Sequence, residues 1–145
     1  MAEEQSAAAI AGSPGRGLAA IRHVVWDWNG TLFDDLDAAL GTINAVLGEY
    51  GLERLADLAA YRSVFTFPVS AYYDRLGLGP ASGRFEEAAA RYMAVWAGLS
   101  AECRLRPGAE EALRGVRSLG LCQAVVSASR RAADRAGWPP YRIRR

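Results

Sequence analysis

Asp27 stands at the end of an apolar run and directly before an Asn-Gly pair. The run, Val24 to Trp26, is typical of a buried parallel strand, and such strands carry ligand-binding groups at their carboxyl ends. A carboxylate placed there can attack phosphorus to give a covalent acyl-phosphate that water later hydrolyses. A magnesium ion on the same carboxylate would neutralise the phosphoryl oxygens. The pattern predicts phosphoryl chemistry at Asp27.

Ser127 is the second candidate, because it follows another apolar run, Leu121 to Val126, that is interrupted only by Gln123. Its hydroxyl and the N–H groups that open the next helix can donate hydrogen bonds to a phosphate. An ordinary helix N-cap explains Ser127 equally well when it is taken alone. Its pairing with Asp27 favours the phosphate-binding interpretation.

Two strands with a helical segment between them must position these side chains. The first strand is predicted over 21–28 and the second over 121–126. Helical spacing of apolar residues is found between them, and this order predicts an α/β protein with a Rossmann-like parallel-sheet core. Two parallel strands alone would leave an open sheet, so we expect the core to be incomplete at the C-terminus. The predicted helices cover 36–50, 55–64, 69–76, 85–99 and 107–119.

The Asn29-Gly30 pair has a second interpretation. Asn-Gly between alternating residues is a strong signal for a type I′ turn, which would make 24–35 a plain β-hairpin with Asp27 on its surface. The helices that follow favour the active-site loop instead. Asp34 and Asp35 are interpreted as a helix-start pair favoured by the helix dipole, rather than as catalytic groups.

Composition narrows the class of protein. The chain has 145 residues with 51% hydrophobic residues, 23% charged residues and a net charge of +1. These values are typical of a globular domain and give no sign of a nucleic-acid partner. No apolar window reaches the length of a membrane span, and two cysteines without a C-x-x-C motif favour the cytoplasm. All 17 basic residues are Arg, so no Lys is present to act as a catalytic group.

Two segments resemble motifs of the haloacid dehalogenase-like (HAD) hydrolase superfamily. Asp27-Trp28-Asn29-Gly30-Thr31-Leu32 resembles its first motif, D-x-D-G-T-L after an apolar strand, and Val125-Val126-Ser127 resembles its second. Leu105-Arg106-Pro107-Gly108 is similar to the usual re-entry into the core. The resemblance covers 21 to about 130 and implies the phosphoglycolate-phosphatase-like branch, with a helical cap inserted after the first strand.

The resemblance implies magnesium-dependent hydrolysis of a small phosphate monoester through an aspartyl-phosphate at Asp27. Asn29 would bind magnesium through its backbone carbonyl, but family phosphatases usually have a general acid/base Asp there. Asn29 cannot titrate, and loss of such a group costs about 10²–10⁴-fold in rate. The implied catalytic and metal-binding residues are Asp27 and Asn29, and the implied substrate-binding residues are Gly30, Thr31, Ser127 and Ala128.

The family's third motif, a Lys or Arg, and its fourth, a set of acidic magnesium ligands, have no match after Ser127, where Asp134 is the only acid. The sequence therefore predicts a family member that is cut short or shifted out of frame near Arg130. Its expected parts are a flexible tail over 1–19, core over 20–36, helical cap over 37–103, core over 104–136 and an irregular Arg-rich tail over 137–145.

Two other functions stay open. One is a non-catalytic fragment that keeps a phosphate- or magnesium-binding loop or packs against a protein partner, and the other is a 2-haloacid dehalogenase. The expected partner of the preferred function is a small phosphorylated metabolite, with no nucleic acid and no membrane. Substrate identity and oligomeric state are not determined by the sequence.

Overall fold

The computed structural model describes residues 21–127, which form a mixed α/β structure with a parallel sheet. The tails predicted over 1–19 and 137–145 lie outside the described residues. The helices begin and end within a few residues of the predicted bounds. No helix within 21–127 is long and apolar enough to cross a membrane. The elements are β1 (His23–Asp27), α1 (Leu36–Glu49), α2 (Leu58–Val64), α3 (Val69–Arg75), α4 (Phe85–Leu99), α5 (Ala109–Ser118) and β2 (Cys122–Val126), with short 3-10 turns at Pro80–Ser82 and Ser100–Glu102.

β1 and β2 pair in parallel, and Asp27 lies opposite Val126 in the register. Because parallel strands end at the same edge of a sheet, Asp27 and the residue after Val126 come together at that edge. The hairpin interpretation of 24–35 is wrong. The chain after Gly30 forms a tight turn and enters α1, so it does not return antiparallel along β1.

The two faces of this sheet differ in exposure. Trp26 and Val125 pack into an apolar cluster with residues of α5, whereas Val25 and Val126 are 62% and 60% exposed. The expectation of a buried β1 is therefore wrong within the described residues. Alternate side chains of a strand point to opposite faces, and none of the residues from 21 to 127 covers the second face.

The helices from α1 to α4, here called the helical layer, enclose a separate apolar core. Apolar residues at spacings of three and four place one face of α1 inside it, and α1 packs mainly on α4. Its buried members are Ala39, Ile43, Val46, Leu47, Tyr61, Tyr72, Tyr73, Leu78 and Ala88.

Tyr72 provides a test of this core. Its side chain is 3% exposed, and its hydroxyl has no hydrogen-bond partner among the described residues. A buried hydroxyl without a partner is unfavourable, so Tyr72→Phe should raise the free energy of unfolding by up to about 1 kcal/mol. Urea denaturation measures the change. A loss of more than about 1 kcal/mol would contradict the expectation, because it would mean that the hydroxyl makes a stabilising bond.

Candidate active site

The loop after β1 is a tight turn closed on the carbonyl of Trp28. The N–H groups of Thr31, Leu32 and Phe33 donate to that oxygen at 3.2, 3.1 and 2.9 Å. The rings of Trp28 and Phe33 stack at 5.2 Å between centroids, and both side chains are buried. Gly30 has φ +71°, which disfavours any other residue there. This turn fixes the backbone directly after Asp27.

Asp27 is exposed at the mouth of this turn. The Thr31 hydroxyl donates to its Oδ2 atom at 2.8 Å. This bond orients the carboxylate, and exposure leaves it accessible to a ligand from solvent. Asp27 and Thr31, both predicted from the sequence, therefore lie together at the end of β1.

Asp35 lies beneath the turn, with a side chain that is 2% exposed. Its Oδ2 atom accepts a hydrogen bond from Asn29 Nδ2 at 2.5 Å, and its Oδ1 atom accepts one from the Gly30 N–H at 2.7 Å. Burial raises the pKa of the Asp35 carboxyl above its usual value, although these two hydrogen bonds oppose the rise. Asp35 does precede α1, as expected of a helix-start residue, but its side chain makes no cap hydrogen bond. It supports the turn after β1 instead.

Asn29 joins this support to Ser127. The Ser127 hydroxyl donates to Asn29 Oδ1 at 3.2 Å, while the amide nitrogen of Asn29 faces Asp35. Both ends of the Asn29 amide are thus directed at protein groups. The sequence-predicted residues Asn29 and Ser127 lie in direct contact, and Ala128 lies outside the described residues.

Arg106 holds the same turn from the other side. Its Nη1 atom donates to the Gly30 carbonyl at 2.7 Å, and its backbone N–H donates to the Leu32 carbonyl at 2.9 Å. Its Nε atom also lies 3.6 Å from an Asp34 carboxylate oxygen. Gly30 thus forms hydrogen bonds through both backbone groups: its N–H donates to Asp35, and its carbonyl accepts from Arg106. These two bonds fix its position in the turn. The sequence did not predict that Arg106 contacts this turn. The signal that could have indicated it is the position of Arg106 directly before Pro107-Gly108, in the segment that resembles the re-entry into the core.

Solved structures with the same arrangement of elements are enzymes or candidate enzymes. A candidate phosphoglycolate phosphatase of Lactobacillus plantarum superposes with a TM-score of 0.70 at 23% identity, over 84% of this chain and 56% of that one. A HAD-family hydrolase of Deinococcus radiodurans, with bound phosphate and sodium, gives a TM-score of 0.52 at 24% identity, over 81% and 51%. The chain has the fold of the HAD-superfamily hydrolases.

CbbY of Rhodobacter sphaeroides, solved in complex with phosphate, has this HAD fold too, with a TM-score of 0.62 at 21% identity. It matches 81% of this chain and 55% of its own. The present chain thus spans little more than half the length of these HAD structures. Its sequence matches no protein-family model and no curated protein. At these identities the likeness establishes the fold.

The loop after β1 offers two oxygen ligands that a magnesium ion could use. Within 21–127, no group of three or more His, Cys, Asp or Glu side chains could hold a metal. Asp27 offers a carboxylate, and Asn29 offers a backbone carbonyl two residues later. Magnesium commonly keeps several waters and binds one or two carboxylates together with substrate phosphate. One carboxylate and one backbone carbonyl are compatible with the small number of protein ligands that magnesium commonly takes.

Substitutions of Asp35 and of its neighbour Asp34 test whether the Asp35 carboxylate stabilises the loop after β1. Asp35→Ala removes the acceptor of two N–H donors beneath the loop, so we expect the free energy of unfolding to fall by about 1–3 kcal/mol. Asp34→Ala removes only an exposed ion pair at 3.6 Å and should change it by less than about 1 kcal/mol. Chemical denaturation of both variants measures the difference. Equal losses would show that Asp35 does not support the loop as described.

Proposed function

We propose that this chain hydrolyses a small phosphate monoester in a magnesium-dependent reaction, with Asp27 as the nucleophile. The observation that carries the proposal is the parallel pairing of β1 with β2. It brings an exposed, Thr31-oriented carboxylate to the same sheet edge as the Ser127 hydroxyl. A nucleophile and a phosphate-binding hydroxyl at one strand edge form a suitable arrangement for in-line phosphoryl transfer.

The reaction would proceed in two steps. An oxygen of Asp27 attacks phosphorus, the bond from phosphorus to the leaving oxygen breaks, and the leaving group departs with the electron pair. Water then attacks the phosphorus of the aspartyl-phosphate, which releases inorganic phosphate, a proton and the free carboxylate. The Thr31 hydroxyl orients the attacking carboxylate, and the Ser127 hydroxyl would turn from Asn29 Oδ1 to donate its proton to a phosphoryl oxygen. Magnesium, held by the Asp27 carboxylate and the Asn29 backbone carbonyl, would supply charge neutralisation.

Asn29 restricts the substrates that this site can process well. An amide cannot give a proton to the leaving oxygen, so the leaving group must depart without that help. Phosphate monoesters with stable leaving anions, such as aryl phosphates, are affected least. Two of the similar structures, CbbY and the Deinococcus hydrolase, contain bound phosphate, which supports phosphate as the ligand class here. We keep a small phosphorylated metabolite in the cytoplasm as the proposed partner and location.

The test is release of inorganic phosphate from p-nitrophenyl phosphate by the purified 145-residue chain. We expect turnover with added magnesium and a fall to the uncatalysed rate when EDTA removes the metal, because the phosphoryl charge then lacks neutralisation. Readdition of magnesium is the control and should restore the rate. A rate that is unchanged by EDTA, or equal to the protein-free reaction throughout, would contradict the proposed function.

Asn29 also favours a second candidate, a fragment that binds phosphate or magnesium without turnover. Calorimetric titration with inorganic phosphate and magnesium separates the two: binding without phosphate release would assign the second. A third candidate, dehalogenation, is tested by halide release from a 2-haloacid. Halide release without phosphate release would assign the chain to that chemistry.

A further inference from the structure

The peptide group between Gly30 and Thr31 is held by a hydrogen bond on each side. Its N–H, which belongs to Thr31, donates to the Trp28 carbonyl at 3.2 Å, and its carbonyl, which belongs to Gly30, accepts from Arg106 Nη1 at 2.7 Å. The Arg106 bond is the shorter of the two, and its donor is charged, which strengthens a hydrogen bond. Because glycine adopts many backbone conformations, this bond restricts a peptide group that could otherwise turn.

Thr31 lies between two carbonyls that Arg106 binds. The Arg106 side chain binds the Gly30 carbonyl on one side of Thr31, and the Arg106 backbone N–H binds the Leu32 carbonyl on the other side, at 2.9 Å. The Thr31 hydroxyl donates to Asp27 Oδ2 at 2.8 Å. Since a threonine hydroxyl occupies only a few staggered positions relative to its own backbone, a turn of the backbone moves it. A change at Arg106 can therefore reach the Asp27 carboxylate through Thr31.

The segment that carries Arg106 is fixed by contacts of its own. Phe33 and Leu105 form an antiparallel bridge, and the Asp34 N–H donates to the Arg104 carbonyl at 2.9 Å. Leu105 also packs against the apolar cluster that contains Phe33. None of these contacts uses the Arg106 side chain. We therefore expect a change confined to that side chain to leave the segment and the fold in place.

We propose that Arg106 is a positioning residue for the nucleophile. By fixing the Gly30 carbonyl, its guanidinium holds the Thr31 hydroxyl against the Asp27 carboxylate. This inference rests on the proposed function and adds a residue to its machinery. Arg106 acts through Thr31 rather than by contact with the substrate. Its loss should therefore lower the rate of the chemical step and leave the affinity for substrate unchanged.

The test measures kcat and KM for p-nitrophenyl phosphate with magnesium in the 145-residue chain and its variants. Arg106→Met keeps a long side chain and removes the donor, so kcat should fall about 10- to 100-fold while KM is unchanged. Arg106→Lys keeps a charged donor for the single bond to the Gly30 carbonyl and should recover most of the loss. Arg104→Met is the matched control, because the Arg104 side chain donates to the carbonyls of Glu102 and Cys103 in its own segment. It should keep the kcat of the unaltered chain.

A double variant tests whether Arg106 acts through Thr31. Thr31→Val removes the hydroxyl and keeps the shape of the side chain. In that background Arg106→Met should lower kcat by less than about twofold more, because the bond that Arg106 positions is already absent. Losses that multiply in the double variant would mean that Arg106 affects the rate by another route. Circular dichroism and urea denaturation of each variant show whether the fold is retained under the assay conditions.

Each other outcome overturns the proposal in a distinguishable way. Full kcat in Arg106→Met would reject the positioning role and leave the proposed phosphatase in place. A raised KM with unchanged kcat would make Arg106 a substrate-binding residue. Unfolding of Arg106→Met, or a loss that Arg106→Lys does not reduce, would make its role structural. An equal loss in Arg104→Met would point to a general charge effect. Absence of turnover in the unaltered chain would reject the proposed function and this inference with it.

Discussion

Asp27→Asn should reduce phosphate release from p-nitrophenyl phosphate by about 10³-fold or more, to the rate of the protein-free reaction. The amide is nearly the same size as the carboxylate, but it is not a nucleophile towards phosphorus and is a weak magnesium ligand. Asp27 is exposed, so the exchange buries no unpaired group, and the fold should be retained. Steady-state kinetics with circular dichroism of both proteins measure the effect.

Asp37 supplies the matched control. It is an exposed carboxylate in the first turn of α1, ten residues further along the chain. Asp37→Asn makes the same atomic exchange outside the proposed machinery, so we expect it to keep the rate of the unaltered chain. Equal losses in both variants would point to a general charge effect. Full activity of Asp27→Asn would remove Asp27 from the mechanism.

Exchange of both members of the Asn29–Asp35 pair should raise turnover of an alkyl phosphate by about 10²–10⁴-fold. In the double variant Asn29→Asp/Asp35→Asn, a titratable group stands at position 29, where it can protonate the leaving oxygen. The hydrogen bond between positions 29 and 35 is kept with donor and acceptor exchanged. The amide introduced at position 35 would still offer an oxygen to the Gly30 N–H. Turnover of an alkyl phosphate, whose leaving group needs a proton, measures the gain.

Asn29→Asp alone should gain much less. The new carboxylate would face the buried Asp35 carboxylate at hydrogen-bond distance, and two such groups cannot both ionise at low cost. Asp35→Asn alone is the second control and should give no gain, because residue 29 still cannot titrate. A double variant with no more activity than the unaltered chain would show that position 29 does not limit turnover. An equal gain for aryl and alkyl phosphates would contradict a role in leaving-group protonation.

Much of the fold follows from local sequence signals. The apolar spacing of α1 and a stop at Gly51 are both predictable, and Gly51 indeed follows the helix with φ +66°. The bounds of α4, Phe85–Leu99, also agree with the prediction. The apolar spacing in α4 overestimates burial: Met93 and Leu99 lie on the face that this spacing marks as apolar, yet each is 44% exposed. Periodicity determines which side chains share a face, but it does not determine how much of that face another element covers.

The contacts that support the candidate site could not be predicted from local signals. Asp35 has the sequence context of a helix-start residue, and only the turn of the chain at Gly30 brings its carboxylate under Asn29. Arg106 reaches the Gly30 carbonyl across 76 positions of sequence. The position of Asp27 and Ser127 at the same edge of the sheet was predictable, because it depends only on the parallel order of two strands. Contacts between side chains that are distant in sequence depend on the packing of the whole loop.

Chemical trapping of the phosphorylated protein tests the central claim most directly. The chain would be incubated with magnesium and p-nitrophenyl phosphate, quenched with hydroxylamine, digested and examined by mass spectrometry, with Asp27→Asn treated in parallel. Hydroxylamine converts an acyl-phosphate into a hydroxamate at the modified carboxylate. We predict a hydroxamate on Asp27 that requires both magnesium and substrate and is absent from Asp27→Asn. Phosphate release without any hydroxamate at Asp27, or a hydroxamate on a different carboxylate, would contradict the account.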